Sequence, residues 1–222
     1  MGVPLLSSSY YFAEGTTRAG FEEWLTLQNP GAVDISVHAT YYLKEGAPVE
    51  KDYAVPAGRR STVLVNSGDG VGAEKDVSVL LTCTSPFLAE RPMYFDYRGL
   101  GNWNWTGGHC VIGAASPASE WFFAEGYTGS NFEEWLCIQN PGAVAATVTI
   151  TYYPEGGGAP IVRTHSVGAG TRYTVPVNVD AGSNLSISAK VSSTQPVIVE
   201  RPMYFNFNGT WSGGHDVVGY TP

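Results

Sequence analysis

The sequence predicts an all-β chain built as two tandem antiparallel β-sandwich domains, Ig-like or jelly-roll-like, related by internal duplication. Three observations predict it. The first is a long repeat. Tyr11-Phe12-Ala13-Glu14-Gly15 returns as Phe122-Phe123-Ala124-Glu125-Gly126, and Phe21-Glu22-Glu23-Trp24-Leu25 returns as Phe132-Glu133-Glu134-Trp135-Leu136. Glu90-Arg91-Pro92-Met93-Tyr94-Phe95 and Gly107-Gly108-His109 recur as Glu200-Arg201-Pro202-Met203-Tyr204-Phe205 and Gly213-Gly214-His215. A unit of over a hundred residues is too long for a solenoid repeat and right for a domain, which places the domains at 1–115 and 116–222. The second observation is alternation of apolar and polar residues, and the third is turn chemistry every 8–12 residues.

Taken in order, strands are expected at 9–14 and 23–29. Val33 to Leu43 follows, where Ile35, Val37, Ala39 and Tyr41 alternate with Asp34, Ser36, His38 and Thr40. Further strands are expected at 48–55, 61–66, 76–84, 87–97 and 109–113, with equivalents in the second copy. Asn29-Pro30-Gly31 and Asn140-Pro141-Gly142 carry Pro and Gly at central turn positions, the type II pattern, and each is expected to join two antiparallel strands. No segment sustains a 3.6-residue period without Gly or Pro, so helix should be scarce. Gly113 to Ser119 reads as a short linker that sets the domains end to end.

Composition narrows the function classes. The chain has 222 residues, 14% charged and 43% hydrophobic, which excludes disorder as its main state. Its formal charge is −8 with no basic cluster, so neither nucleic acid nor an anionic membrane is an expected partner. No apolar run approaches the roughly 20 residues that span a bilayer, so no membrane insertion is expected. Met1-Gly2-Val3-Pro4-Leu5-Leu6 contains neither an export signal nor a myristoylation signal. Few lysines and abundant Gly, Ser, Thr and Tyr nevertheless suggest an extracellular or cell-surface setting. Cys83, Cys110 and Cys137 fall outside the repeat plan, Cys110 aligning with Asp216 and Cys137 with Thr26. They read as free thiols, with a Cys83–Cys110 bridge as the alternative.

The signature Phe-Ala-Glu-Gly, Glu-Trp-Leu with Gln-Asn-Pro, Glu-Arg-Pro-Met-Tyr-Phe and Gly-Gly-His resembles a module repeated in tandem in large secreted bacterial proteins. His215-Asp216-Val217-Val218-Gly219 matches it better than His109-Cys110-Val111-Ile112-Gly113. The resemblance covers the chain from about residue 9. It implies a secreted or surface context and a non-catalytic accessory role, and it supplies no catalytic residue.

Two constellations stand out. Period two along 87–97 puts Arg91 in an apolar row with Phe87, Ala89, Met93, Phe95 and Tyr97, and Arg201 sits likewise among Val197, Val199, Met203 and Phe205. A buried guanidinium requires a carboxylate, because unpaired burial of a charge is prohibitive. Glu14 and Glu125 are the expected partners and Glu23 and Glu134 the rivals; Pro92 raises the prospect of a bulge that shifts the alternation. Structural ion pairs are the favoured reading over an acid–base site, since both copies carry the pair without a nucleophile. The second constellation comprises two expected Gly-rich loops, 99–109 and 208–215. Trp103, Trp105, Trp211, His109 and His215 are candidate contacts to a glycan, stacking and hydrogen bonding as a sugar requires. For Trp105 and Trp211 the favoured reading is that they plug the sandwich ends, which leaves Trp103, without an equivalent in the second copy, as the better candidate for an exposed contact.

No metal or cofactor is expected. No paired His or Cys spacing occurs, and the acidic Ser67–Asp76 loop is replaced in the second copy by Asp180-Ala181-Gly182-Ser183-Asn184, which loses two carboxylates. The expected function is therefore a non-enzymatic structural or adhesive repeat module, a spacer or self-associating unit that engages neighbouring repeats or a cell-surface ligand. A carbohydrate-binding module is the alternative, and a glycoside hydrolase using Glu14 or Glu23 a more distant one.

Overall fold

A computed structural model describes residues 6–99 and 104–222. The first repeat comprises β1 (Ser7–Phe12), β2 (Phe21–Asn29), β3 (Ile35–Leu43), β4 (Val49–Val55), β5 (Arg59–Leu64), β6 (Val77–Arg98) and β7 (Asn104–Ile112). The second comprises β8 (Ala118–Phe123), β9 (Phe132–Asn140), β10 (Ala146–Pro154), β11 (Ile161–Val167), β12 (Thr171–Pro176), β13 (Ile187–Glu200), β14 (Met203–Phe207) and β15 (Trp211–His215). Helix is confined, among the described residues, to one turn, α1 (Val177–Asp180). All strand pairs are antiparallel. The chain is thus all-β, as its alternation and turn chemistry predict.

Each repeat has two layers that share one long strand. In the first, β6 pairs through its N-terminal half with β1 and β3, and β3 pairs with β4. Through its C-terminal half β6 pairs with β2 and β7, and β2 pairs with β5. The two strands expected at 76–84 and 87–97 are therefore one, crossing between layers near Pro86, which lacks the N–H a continuous ladder would use. The second repeat follows the same plan, except that Arg201-Pro202 separates β13 from β14. No bulge shifts the alternation at Pro92: Phe21↔Phe95 and Thr26↔Glu90 lie on one register, as do Glu134↔Met203 and Cys137↔Glu200 in the second repeat.

Period-two patterning explains the cores. Leu25, Leu27, Val37, Tyr41, Val79, Leu81 and Phe87 fill the first sandwich, and Leu136, Ile138, Val148, Ile150, Val191 and Val199 the second. Each such side chain contributes roughly 1.5–3 kcal/mol on burial.

Two expectations need correcting. The Asn-Pro-Gly turns are not type II hairpins: neither Gly31 nor Gly142 has positive φ, and β2 and β3 belong to different layers. The asparagine side chain organises the turn instead. Asn29 Oδ1 accepts from Gly31 N–H while its Nδ2 donates to the carbonyls of Val33 and Val55, and Asn140 repeats the pattern with Gly142, Val144 and Val167. The repeats are also not end to end. They lie side by side, with β7 against β15: Thr106 N–H donates to Ser212 Oγ at 2.8 Å. A Cβ on Gly107 would come within 3.3 Å of Gly213 Cα, and one on Gly214 within 2.9 Å of the Phe95 ring. The Gly-Gly pairs thus permit close approach of two strand edges, a use that glycine alone serves here.

Candidate functional site

The side-by-side packing buries a charged centre between the repeats, and its members come from four segments. β6 carries Arg91 inward in the apolar row between Ala89 and Met93. The chain leaving β1 brings Glu14; the end of β13 brings Glu200; and the residue after β15 is Asp216. Arg91 donates through Nη2 to Glu14 Oε2 and to Asp216 Oδ2, the latter at 2.8 Å, and through Nη1 to Glu200 Oε2 at 3.1 Å and to the Glu14 carbonyl. Glu14 N–H donates to Glu200 Oε2 at 3.0 Å, and the Tyr204 hydroxyl donates to Glu14 Oε1 at 2.9 Å. The Arg91 and Glu200 side chains are wholly inaccessible.

Around this centre Phe21, Phe95 and Tyr97 of the first repeat pack on Tyr204, with Trp105 and Trp135 in the same cluster. Arg172, from β12, donates through Nε to Ser78 Oγ at 3.1 Å across the same boundary. A cleft of about 360 Å³ runs along the boundary, lined by Glu14, Arg18, Lys44, Tyr97, Arg172 and Tyr204 among others.

The electrostatics follow from three carboxylates crowding one guanidinium. Burial pushes the Glu14 carboxyl up, but Arg91, His109 and the Tyr204 hydroxyl outweigh it and hold its pKa below the usual value. Burial wins at Glu200 and Asp216, whose pKa values are raised; at Asp216 the neighbouring Glu200 and Glu14 add to the effect. Glu14 is therefore the anionic partner of Arg91, while Asp216 holds a proton well above the ordinary aspartate range. Glu14, His109 and Asp216 could offer ligand atoms within 4.8 Å of one another. Arg91 already occupies that position as the cation and bonds to both carboxylates, so a metal would have to displace it.

Arg201 occupies a plainer setting. It bonds to the Glu125 carbonyl and, at 3.0 Å, to Glu125 Oε2, but the Glu125 side chain is 66% exposed and no second carboxylate among the described residues bonds to Arg201. Burial, and then Arg201, lowers the pKa of His215, against the pull of Glu125.

Glu23 and Glu134 do not pair with the arginines. They are buried behind Gly15 and Gly126, where the backbones of Thr16 and Tyr127 approach the Glu23 and Glu134 carboxyls. Burial raises Glu23 to about 8 and Glu134 to about 7, against the opposing pull of Arg91 and Arg201 respectively. A Cβ on Gly15 would lie 2.5 Å from the Val77 carbonyl oxygen and 2.8 Å from Glu23 Oε1, which is why the Phe-Ala-Glu motif ends in glycine.

Of the candidate glycan contacts, Trp103 lies outside the described residues. Trp105 and His109 are on β7, and Trp211 and His215 on β15, so these residues belong to strands and not to Gly-rich loops. Trp105 is buried in the boundary, and His109 faces Glu14 Oε1 at 3.8 Å. Trp211 is 61% exposed and stacks on Phe207, ring centroids 5.8 Å apart, so it does not plug the end of its sandwich as expected. Cys83, Cys110 and Cys137 are free thiols, Cys110 exposed and Cys137 buried.

Glu200, Asp216, Tyr204 and Arg172 were not singled out by the sequence reading. Glu200 and Tyr204 lie on the strand face opposite Arg201, which a single sandwich leaves in solvent. The available signal was the exchange of Cys110 for Asp216 between otherwise matching Gly-Gly-His segments.

The fold and centre together define an all-β protein of two duplicated units held by a shared ionic core. No family model matches the chain, and no curated protein does. Among solved structures it is similar to Thermotoga maritima 1070 (21% identity, 48% of this chain and 96% of that one, TM-score 0.44). It is similar also to the Anabaena sensory rhodopsin transducer (22% identity, 40% and 97%, TM-score 0.35). The tandem CBM22-1-CBM22-2 domain of Paenibacillus barcinonensis Xyn10C matches at 10% identity over 85% of this chain and 82% of that one, TM-score 0.26. Among the described residues, no helix is long and apolar enough to cross a membrane.

Proposed function

We propose that this chain is a non-enzymatic, extracellular structural or adhesive module, in which two repeats are locked into one rigid unit and act through their outer surface. One observation carries the reading. The most distinctive charged residues of the chain are spent on each other, with Arg91 and Glu200 sealed from solvent, so they hold the repeats in place and present nothing to a substrate. A hydrolase would need an acid and a base or nucleophile facing an open cleft. Here the one carboxylate of the centre that lines the boundary cleft, Glu14, is already bonded to Arg91 and Tyr204. The extracellular setting is supported by the composition and by the resemblance to secreted repeat modules.

The test is an assay of the whole chain against polysaccharide and peptide substrates, with Glu14→Gln alongside. No turnover is expected from either protein; turnover that Glu14→Gln abolishes would overturn the reading. Carbohydrate binding is supported by a separate feature, the exposed Trp211 stacked on Phe207. A glycan array that responds to the chain and loses its signal in Trp211→Ala would establish that role.

A further inference from the structure

Packing between the repeats uses two different surfaces. The first repeat contributes a receiving face carrying Ala13, Glu14, Arg91, Phe95 and His109. The second contributes an inserting face carrying Cys137, Arg172, Glu200, Tyr204 and Asp216. Because the repeats are homologous, each also owns the face it does not use. Ala124, Glu125, Arg201, Phe205 and His215 form a receiving face on the second repeat, and Thr26, Arg60, Glu90, Tyr94 and Cys110 form an inserting face on the first.

Much of these spare faces is exposed, although Arg201 itself is buried and Thr26, Glu90, Phe205 and His215 are half-buried. Tyr94 is 57% exposed where its equivalent Tyr204 is buried, Trp211 is exposed where Trp105 is buried, and Phe207 is 44% exposed. Cys110 and Arg60 are exposed where Asp216 and Arg172 are buried, and Ala124 and Glu125 where Ala13 and Glu14 are buried.

We propose that a second copy of this chain docks on these faces, the inserting face of its first repeat seated on the receiving face of this second repeat, so that its Glu90 and Tyr94 reach Arg201 and Glu125. This deepens the structural reading above and rests on it. The interface is continuous in kind with the one already inside the chain, since the same Glu-Arg-Pro-Met-Tyr-Phe segment would supply both sides. Charge is complementary. Arg201 now has one exposed carboxylate against the three that surround Arg91, and Glu90 of the second copy would give it another. Cys110 replaces Asp216 there, so the second centre would bury two carboxylates instead of three.

A contact between unlike faces closes into a ring or runs on as a fibre, depending on whether the rotation closes. The touching of equivalent residues, Thr106 with Ser212 and Gly107 beside Gly213, places the rotation axis along the β7 and β15 edges. Little translation per step is then possible, which favours a ring, the smallest containing two chains and four repeats.

The test is light scattering coupled to size exclusion over a concentration series, with mass-spectrometric mapping of Cys110 alkylation. The wild-type chain is expected at twice 23.7 kDa, with Cys110 protected as the dimer forms. Tyr94→Lys on one spare face and Trp211→Lys on the other are both exposed changes that leave the fold intact. Each should return the mass to 23.7 kDa and expose Cys110 to alkylation. A wild-type chain that stays monomeric at its highest soluble concentration overturns the proposal. Association untouched by both variants overturns it too, because a different surface would then be responsible. A monomer that binds glycan through Trp211 would assign the face to that ligand instead. None of these results bears on turnover, so failure here leaves the non-enzymatic reading standing, and Glu14-dependent turnover would leave the measured mass unchanged.

Discussion

Arg91 and Arg201 hold the same place in two copies of one motif and do different work because different residues reach them. Arg91 pairs with carboxylates from both repeats in a site sealed from solvent, whereas Arg201, among the described residues, forms a salt bridge only with the exposed Glu125. Removing one member of a buried pair strands the others, so Arg91→Met should cost about 3–5 kcal/mol in urea unfolding of dilute protein. Arg201→Met should cost about 1 kcal/mol or less, because its carboxylate stays hydrated. Equal losses at the two positions would contradict the asymmetry. Glu23 supplies a second residue-scale expectation. Its pKa of about 8 lies above the ordinary glutamate value, so the folded state holds the proton more tightly than the unfolded chain. That stabilisation is complete below the unfolded pKa and is lost as pH rises through 8, with a slope of about 1.4 kcal/mol per pH unit from this group. Glu23→Gln should flatten the fall in stability between pH 5 and 8; an unchanged slope would show that Glu23 is not a buried acid.

At the scale of elements, the strands were legible because their signals are local. Alternation in 87–97 placed Phe87, Ala89, Arg91, Met93, Phe95 and Tyr97 on one face, and the first five are buried while Tyr97 is half-buried. Two things were not legible. The fusion of 76–84 with 87–97 depends on how the two layers share an edge, and Ser85-Pro86 reads as a break when only the local chain is considered. The second sheet face of β13 and β14 is buried only because another repeat covers it, which no periodicity within one repeat encodes: Glu200 and Tyr204 are buried while Glu90 is half-buried and Tyr94 exposed. The Gly15 position tests the element scale directly. Its Cβ would press on the Val77 carbonyl, so Gly15→Ala should cost about 1–3 kcal/mol by forcing β1 and β6 apart. Urea titration with an unchanged midpoint would mean that the strand ends yield freely.

For the whole molecule, the ionic centre and the aromatic cluster make the two repeats one thermodynamic body. Neither repeat completes its own surface: Ala13 and Ala114 of the first pack into the core of the second, and Val218 of the second packs against the core of the first. The Glu14 backbone N–H has its partner in Glu200, 186 residues away. Losing the fold of one repeat therefore exposes Arg91 and its carboxylates, together with Phe21, Phe95 and Trp105, to water at once. Independent domains would unfold separately, as weak inter-domain contacts normally permit. Here a single cooperative transition is expected, with amides in β6 and β13 exchanging with solvent at the same global free energy. Glu200→Ala sharpens the point, because the change lies in the second repeat while Arg91 and Glu14 lie in the first. Hydrogen exchange should then show β6 losing protection together with β13, by a similar increment in both. Loss confined to β13 would mean that the boundary is an adhesion between two self-sufficient sandwiches, and that the duplication added length without coupling.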